Sequence, residues 1–154
     1  MENTGLATFG MGCIWCGQKS LSHVDGVRAT RVGYMGGTTD GPTYEAVCAG
    51  ETGHFEVVEV QYDGEKLSFR ELLEAFWASH NPAAVREGDG DSGSQYGSVI
   101  FFHTEEQRVQ AEESKRRLQA SGRVRGRITT LILPSSRFWV AEDRHQCYID
   151  KLDR

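Results

Sequence analysis

Apolar positions along the chain recur with two different periods, and the alternation between them predicts its elements. Over 54–62 (HFEVVEVQY) they fall on every second residue, the pattern of a half-buried strand. That period sets Glu56 on the same side as Val58, Val60 and Tyr62, so a carboxylate heads an apolar stripe. Residues 27–34 alternate in the same way, and short apolar runs at 6–10, 98–102 and 127–133 complete a set of five strands. Between them the period lengthens. Phe69, Leu72, Leu73, Phe76 and Trp77 form one helical stripe over 69–80, opened by the capping pair Ser68 and Glu71 and ended by Asn81-Pro82. Thr104 with Gln107 predicts a second capping box for a helix reaching about 120, stopped near Gly122. Helices are also expected over 13–23 and, more briefly, over 43–49. The stretches 35–42 and 86–97 are rich in Gly, Asp, Ser and Thr and read as loops. The tail, 138–152, is expected to be irregular first and then a short helix.

Strand, helix, strand, strand, helix, strand is the β-α-β-β-α-β order. The expected fold is therefore α+β, a two-layer sandwich of the ferredoxin-like plait type with a mixed β-sheet and flanking helices. No repeat, low-complexity segment or linker divides 1–154, which implies a single catalytic domain.

Composition narrows the function classes. The 17 basic against 22 acidic residues leave a net charge of −5, which argues against nucleic-acid binding. One basic cluster (Lys115, Arg116, Arg117, Arg123, Arg125, Arg127) is expected on a solvated face. No run approaches the roughly 18 apolar residues of a membrane span. The first residues lack the basic and apolar regions of a signal peptide, so a reducing, cytoplasmic setting is expected. In such a setting the four cysteines, Cys13, Cys16, Cys48 and Cys147, point to catalysis or metal rather than to a disulfide scaffold.

Cys13 stands where the first strand gives way to a helix. Free N–H groups and the helix dipole favour an anion there, so its thiol should ionise below the roughly 8.5 of free cysteine. Cys13 is the predicted nucleophile. Cys13-x-x-Cys16 by itself fits a redox pair or half of a zinc site completed by His145 and Cys147. A zinc-bound regulatory module is thus one alternative. Glu56, if buried, keeps a proton available near neutrality and can protonate a leaving group. Asp89-x-Asp91 fails as a calcium loop, because Ser94 and Ile100 stand where Gly and Glu are needed. Tyr44 and Tyr96 follow loop segments outside the apolar stripes. His145 and Tyr148 read, by themselves, as residues of a surface helix.

Six collinear segments carry a closer resemblance: 8–15 (TFGMGCIW), 32–37 (VGYMGG), 42–45 (PTYE), 52–58 (TGHFEVV), 93–96 (GSQY) and 141–146 (AEDRHQ). Together the chain resembles the A-type peptide methionine sulfoxide reductases over nearly its whole length. The resemblance implies thiol-dependent reduction of methionine-S-sulfoxide, peptide-bound or free, to methionine, which is repair of an oxidative lesion. It implies that Cys13 attacks the sulfoxide sulfur, Glu56 protonates the oxygen, and Tyr44 and Tyr96 hydrogen-bond that oxygen. Trp15, with Ile14 beside it, would wall the S-methyl pocket, Asp91 would orient substrate or water, and the tail with His145 and Tyr148 would approach the site. No bound cofactor or metal is implied. A sulfenic acid on Cys13 would condense with a second thiol, Cys16 first or Cys147 second, and thioredoxin or another dithiol would reduce the disulfide. Cys48 is expected in the core, and a monomer is expected.

This chain departs from the family pattern at the pocket rim. Ile14 replaces the usual Phe, Cys16 the usual Gly and Gly97 the usual Arg, and 86–90 (REGDG) replaces an Asn-Arg-Gln-Gly-Asn run. The same chemistry on another small-molecule sulfoxide is therefore a second alternative.

Overall fold

The computed structural model describes residues 4–11, 14–48, 52–80, 82–83, 98–142 and 146, with the side chains at 4, 14–16 and 48 outside that description. In chain order the elements are β1 (Thr4–Met11), α1 (Ile14–Ser22), β2 (Val27–Met35), α2 (Tyr44–Cys48) and β3 (Phe55–Asp63). There follow α3 (Phe69–Ala78), β4 (Ser98–Phe102), α4 (Glu105–Ser121), β5 (Leu131–Pro134) and β6 (Trp139–Val140). The strands make one six-stranded sheet in the order β5-β4-β1-β3-β2-β6. It is mixed: β4 and β5 run parallel and every other pair antiparallel. The fold is α+β, as the periodicities predict. No helix among the described residues is long and apolar enough to cross a membrane.

The main core lies between the sheet and its helices. Phe9 of β1, Val58 and Val60 of β3 and Ile100 of β4 meet Leu21 of α1, Leu72, Leu73 and Phe76 of α3, and Ala111 of α4. Phe9 stacks on Phe76 with ring centroids 4.8 Å apart. The predicted stripe of α3 is buried in full, and its capping box forms: Ser68 Oγ accepts from Glu71 N–H, and Glu71 Oε1 accepts from Ser68 N–H. The opposite face of the sheet has a smaller core of Met35, Phe55, Val57, Val99 and Phe101.

Three expectations are corrected. Only half of the second capping box forms: Thr104 Oγ1 caps Gln107 N–H, but Gln107 Oε1 accepts from His103 N–H. Gln107 Nε2 instead donates to Leu6 O, tying α4 to β1. The last predicted strand begins at Leu131 rather than at 127, because Ile128 N–H goes to Gln119 Oε1 and Thr129 N–H to Pro82 O, leaving neither for a ladder. The tail is not irregular throughout; β6 pairs with β2 (Gly33 with Val140, Tyr34 with Trp139). Loop 86–97 and the terminal helix expected within 138–152 fall outside the described residues, apart from 138–142 and Gln146.

Candidate active site

The sheet brings two predicted site regions to one end. β1 finishes at Met11 and α1 starts at Ile14. Helix α1 lies close on the sheet because Gly17 is there: a Cβ on it would meet the Met11 side chain at 3.0 Å. Gln18, buried, secures the helix by donating from Nε2 to Thr30 O and Oγ1 at 3.3 and 3.1 Å.

Glu56 is the second region. It is 2% exposed on β3, facing the main core with Val58 and Val60 as the alternation predicts. β1 and β3 pair as far as Phe9 against Val58; Glu56 stands two residues beyond that pair on β3 and Met11 two residues beyond it on β1. Across from Glu56 on β2 stands Tyr34, fully buried, whose hydroxyl donates to Glu142 Oε1 at 3.2 Å.

Tyr44 opens α2, half-buried against the main core. Between β2 and β3 the chain makes an excursion over 36–54 that carries it, and the neck of this excursion is closed by His54. The buried His54 ring accepts Gly37 N–H at Nδ1 (3.0 Å), so Nε2 carries the proton and donates to Thr39 O (2.7 Å). Thr38 N–H to Thr52 O adds a rung beside it. Gly37 must be glycine here, since a Cβ would lie 2.4 Å from His54 N. His54 thus holds the base of the loop that presents Tyr44, two residues before Glu56.

A third arrangement concerns the tail. The Gln146 carboxamide accepts Val32 N–H at Oε1 (2.9 Å) and donates from Nε2 to Val32 O and Ala141 O (2.9 and 3.0 Å). It continues the edge of β2 as a strand residue would.

Cys13, Asp91, Tyr96, His145, Cys147 and Tyr148, and the side chains of Ile14, Trp15, Cys16 and Cys48, lie outside the described residues. Of the predicted catalytic set, Glu56 and Tyr44 are therefore described. Periodicity reveals nothing of the roles of His54, Tyr34, Glu142 and Gln146; the only hint is that all four sit inside motif segments. Among the described residues no group of three or more His, Cys, Asp or Glu is placed to hold a metal.

The family model described as peptide methionine sulfoxide reductase matches residues 5–154. The chain belongs to that family. It is 51% identical over 148 residues to the peptide methionine sulfoxide reductase MsrA of Methanothermobacter thermautotrophicus, covering 96% of this chain and 88% of that protein. Among solved structures, reduced Mxr1 from Saccharomyces cerevisiae superposes with a TM-score of 0.85 at 30% identity, over 98% of this chain and 87% of that one. Mxr1 in complex with Trx2 matches at a TM-score of 0.64 and 22% identity over 94% of this chain and 84% of that one, a likeness of fold. Membership of this reductase family accords with redox rather than metal chemistry. It disfavours the zinc-module reading of Cys13, Cys16, His145 and Cys147.

Proposed function

We propose that this protein reduces methionine-S-sulfoxide, in peptides and as the free amino acid, with Cys13 as nucleophile and Glu56 as acid. The observation that carries the reading is Glu56 itself: a glutamate 2% exposed on β3, two residues past the last β1–β3 pair, Phe9 with Val58. A structural role alone would favour an apolar side chain there, because burying a carboxyl is costly. The Cys13 sulfur attacks the sulfoxide sulfur, and Glu56 delivers a proton to the oxygen. Tyr44 and Tyr96 steady that oxygen, Asp91 orients the substrate, and Trp15 and Ile14 line the methyl pocket with His145 and Tyr148 at the tail side. Methionine leaves, reduced by two electrons, and Cys13 is left as the sulfenic acid. A second thiol displaces water from it to form a disulfide, and an external dithiol reduces that by exchange. Mxr1 is known in complex with Trx2, and thioredoxin is the reductant proposed here, with no bound cofactor.

Cys16 is the proposed resolving residue, in the first turn of α1 and three positions from Cys13. The Gln146 clamp favours Cys147 as the second possibility, since it fastens the residue before Cys147 to β2. In fold terms, the β4-β1-β3-β2 centre with α1 and α3 as crossovers fits the ferredoxin-like plait, to which β5 and β6 are additions.

The test is a single-turnover assay with separate S and R epimers of peptide-bound and free methionine sulfoxide. One methionine should be released per Cys13 from the S epimer, and none by Cys13→Ser. Mapping the disulfide in Cys16→Ser and Cys147→Ser variants identifies the resolver. Release from the R epimer alone, or undiminished release by Cys13→Ser, would sink the reading.

A further inference from the structure

The basic cluster does not simply decorate a solvated face. Lys115, Arg116 and Arg127, with Glu112 held by Arg108, rim a groove of about 650 Å³ between the second half of α4 and the approach to β5, floored by Ile128, Leu131 and Ile132. Neighbouring cations are committed: Arg108 pairs with Glu105 and Glu112, Arg117 with Glu113, and Lys115 Nζ donates to Thr130 O at 2.7 Å. Arg116 and Arg127 are exposed, and among the described residues neither has a carboxylate within ion-pair distance. In a chain of net charge −5, two guanidiniums without ion pairs over an apolar floor suit this groove to an anionic partner.

Sheet register fixes where the groove lies. Met11 faces Ser98 across β1 and β4, and Val99 faces Leu131 across β4 and β5. Ser98 Oγ and Thr130 Oγ1 are 2.7 Å apart. The entry to β5 is thus at the same end of the sheet as Met11, the end of β1, two strands away. Two strand spacings are roughly 10 Å, which an extended peptide covers in about three residues. Among the described residues β5 is also an edge strand, with no strand beyond it in the sheet order, and the apolar side chain of Leu131 is 43% exposed there. Such an edge can receive an extended chain.

We propose that the α4–β5 groove binds an acidic, extended segment of the sulfoxide-bearing protein, Arg116 and Arg127 pairing with carboxylates about three or more residues from the methionine sulfoxide. This rests on the function proposed above and adds its substrate class: oxidised methionines flanked by Asp or Glu. The groove selects among substrates; it takes no part in the chemistry.

The test compares kcat/KM, with dithiothreitol as reductant, for three substrates: a methionine-S-sulfoxide peptide with aspartates starting three residues away on either side, its asparagine counterpart, and N-acetylmethionine-S-sulfoxide. Wild type should favour the acidic peptide roughly tenfold at low ionic strength, the scale of two exposed ion pairs. Half-molar salt and the double variant Arg116→Glu/Arg127→Glu should remove the preference, while turnover of N-acetylmethionine-S-sulfoxide stays unchanged. Equal turnover of the two peptides by wild type, or a preference surviving in the variant, overturns the proposal. So does a variant defect that appears only when thioredoxin replaces dithiothreitol, which would assign the groove to the reductant. Fluorescence anisotropy with the labelled, unoxidised acidic peptide separates groove from reaction. Binding by wild type and not by the variant, with no sulfoxide reduced at all, would sink the reductase reading and leave the groove; absence of binding sinks the groove.

Discussion

His54 shows how much one side chain can decide. Its ring replaces ladder bonds just past the end of the β2–β3 pair, and both nitrogens are satisfied by backbone groups of the loop that leads to Tyr44. Removing it strands Gly37 N–H and Thr39 O. His54→Ala should therefore cost about 1–3 kcal/mol in urea unfolding and lower kcat by loosening Tyr44. In a double-mutant cycle with Tyr44→Phe the two losses in kcat should be less than additive, because both act through the same hydroxyl. Glu56 acts on the proton instead. Glu56→Gln keeps the shape and removes the acid, so single-turnover methionine release should fall by about 10²–10⁴-fold while iodoacetamide still alkylates Cys13. The burial of Glu56 is legible in the sequence, because alternation alone fixes its face. The bonds of His54 are not, since its partners stand 15 and 17 residues earlier in a loop with no periodicity.

At the scale of elements, local rules succeed where bonding is local. The α3 stripe and its capping box follow from residues 68–77 alone, and Ser68→Ala should cost about 1 kcal/mol in thermal unfolding. β6 has no local signal. Its two residues become a strand because Gly33 leaves room for them: a Cβ on Gly33 would lie 2.2 Å from Trp139 O and 2.6 Å from the Phe138 ring. Gly33→Ala should displace β6, destabilise the protein by about 1–3 kcal/mol and expose 138–146 to limited proteolysis. Arg31 supports the same strap from the outer face of the sheet, pairing with Glu59 at 2.6 Å and lying 5.0 Å from the Phe138 ring centroid.

For the whole molecule, two half-buried histidines, His80 and His103, couple stability to pH. Burial lowers the pKa of His80, against a smaller opposing effect of its bond to Phe76 O. Burial lowers that of His103 as well, opposed by the charge of Glu59. In the unfolded chain both take a proton near the ordinary 6.5. Their neutral forms therefore support the fold fully above that pH, and the support is lost as pH falls toward the lower folded values. The urea midpoint should drop between pH 7.5 and 5.5, and His80→Gln/His103→Gln should flatten that drop. A further loss is expected below pH 4, where Asp63, held low first by Glu65 N–H and then by Arg28, takes up its proton.

The sequence by itself determined the order of elements, the α3 helix and the inward face of Glu56, because each depends on the spacing of residues within one segment. The tertiary structure decided the neck closed by His54, the strap along β2, the late start of β5 and the conversion of a basic stretch into one wall of an apolar groove. Each of these depends on backbone groups or surfaces that meet only after the strands have paired, and no window along the chain contains both partners.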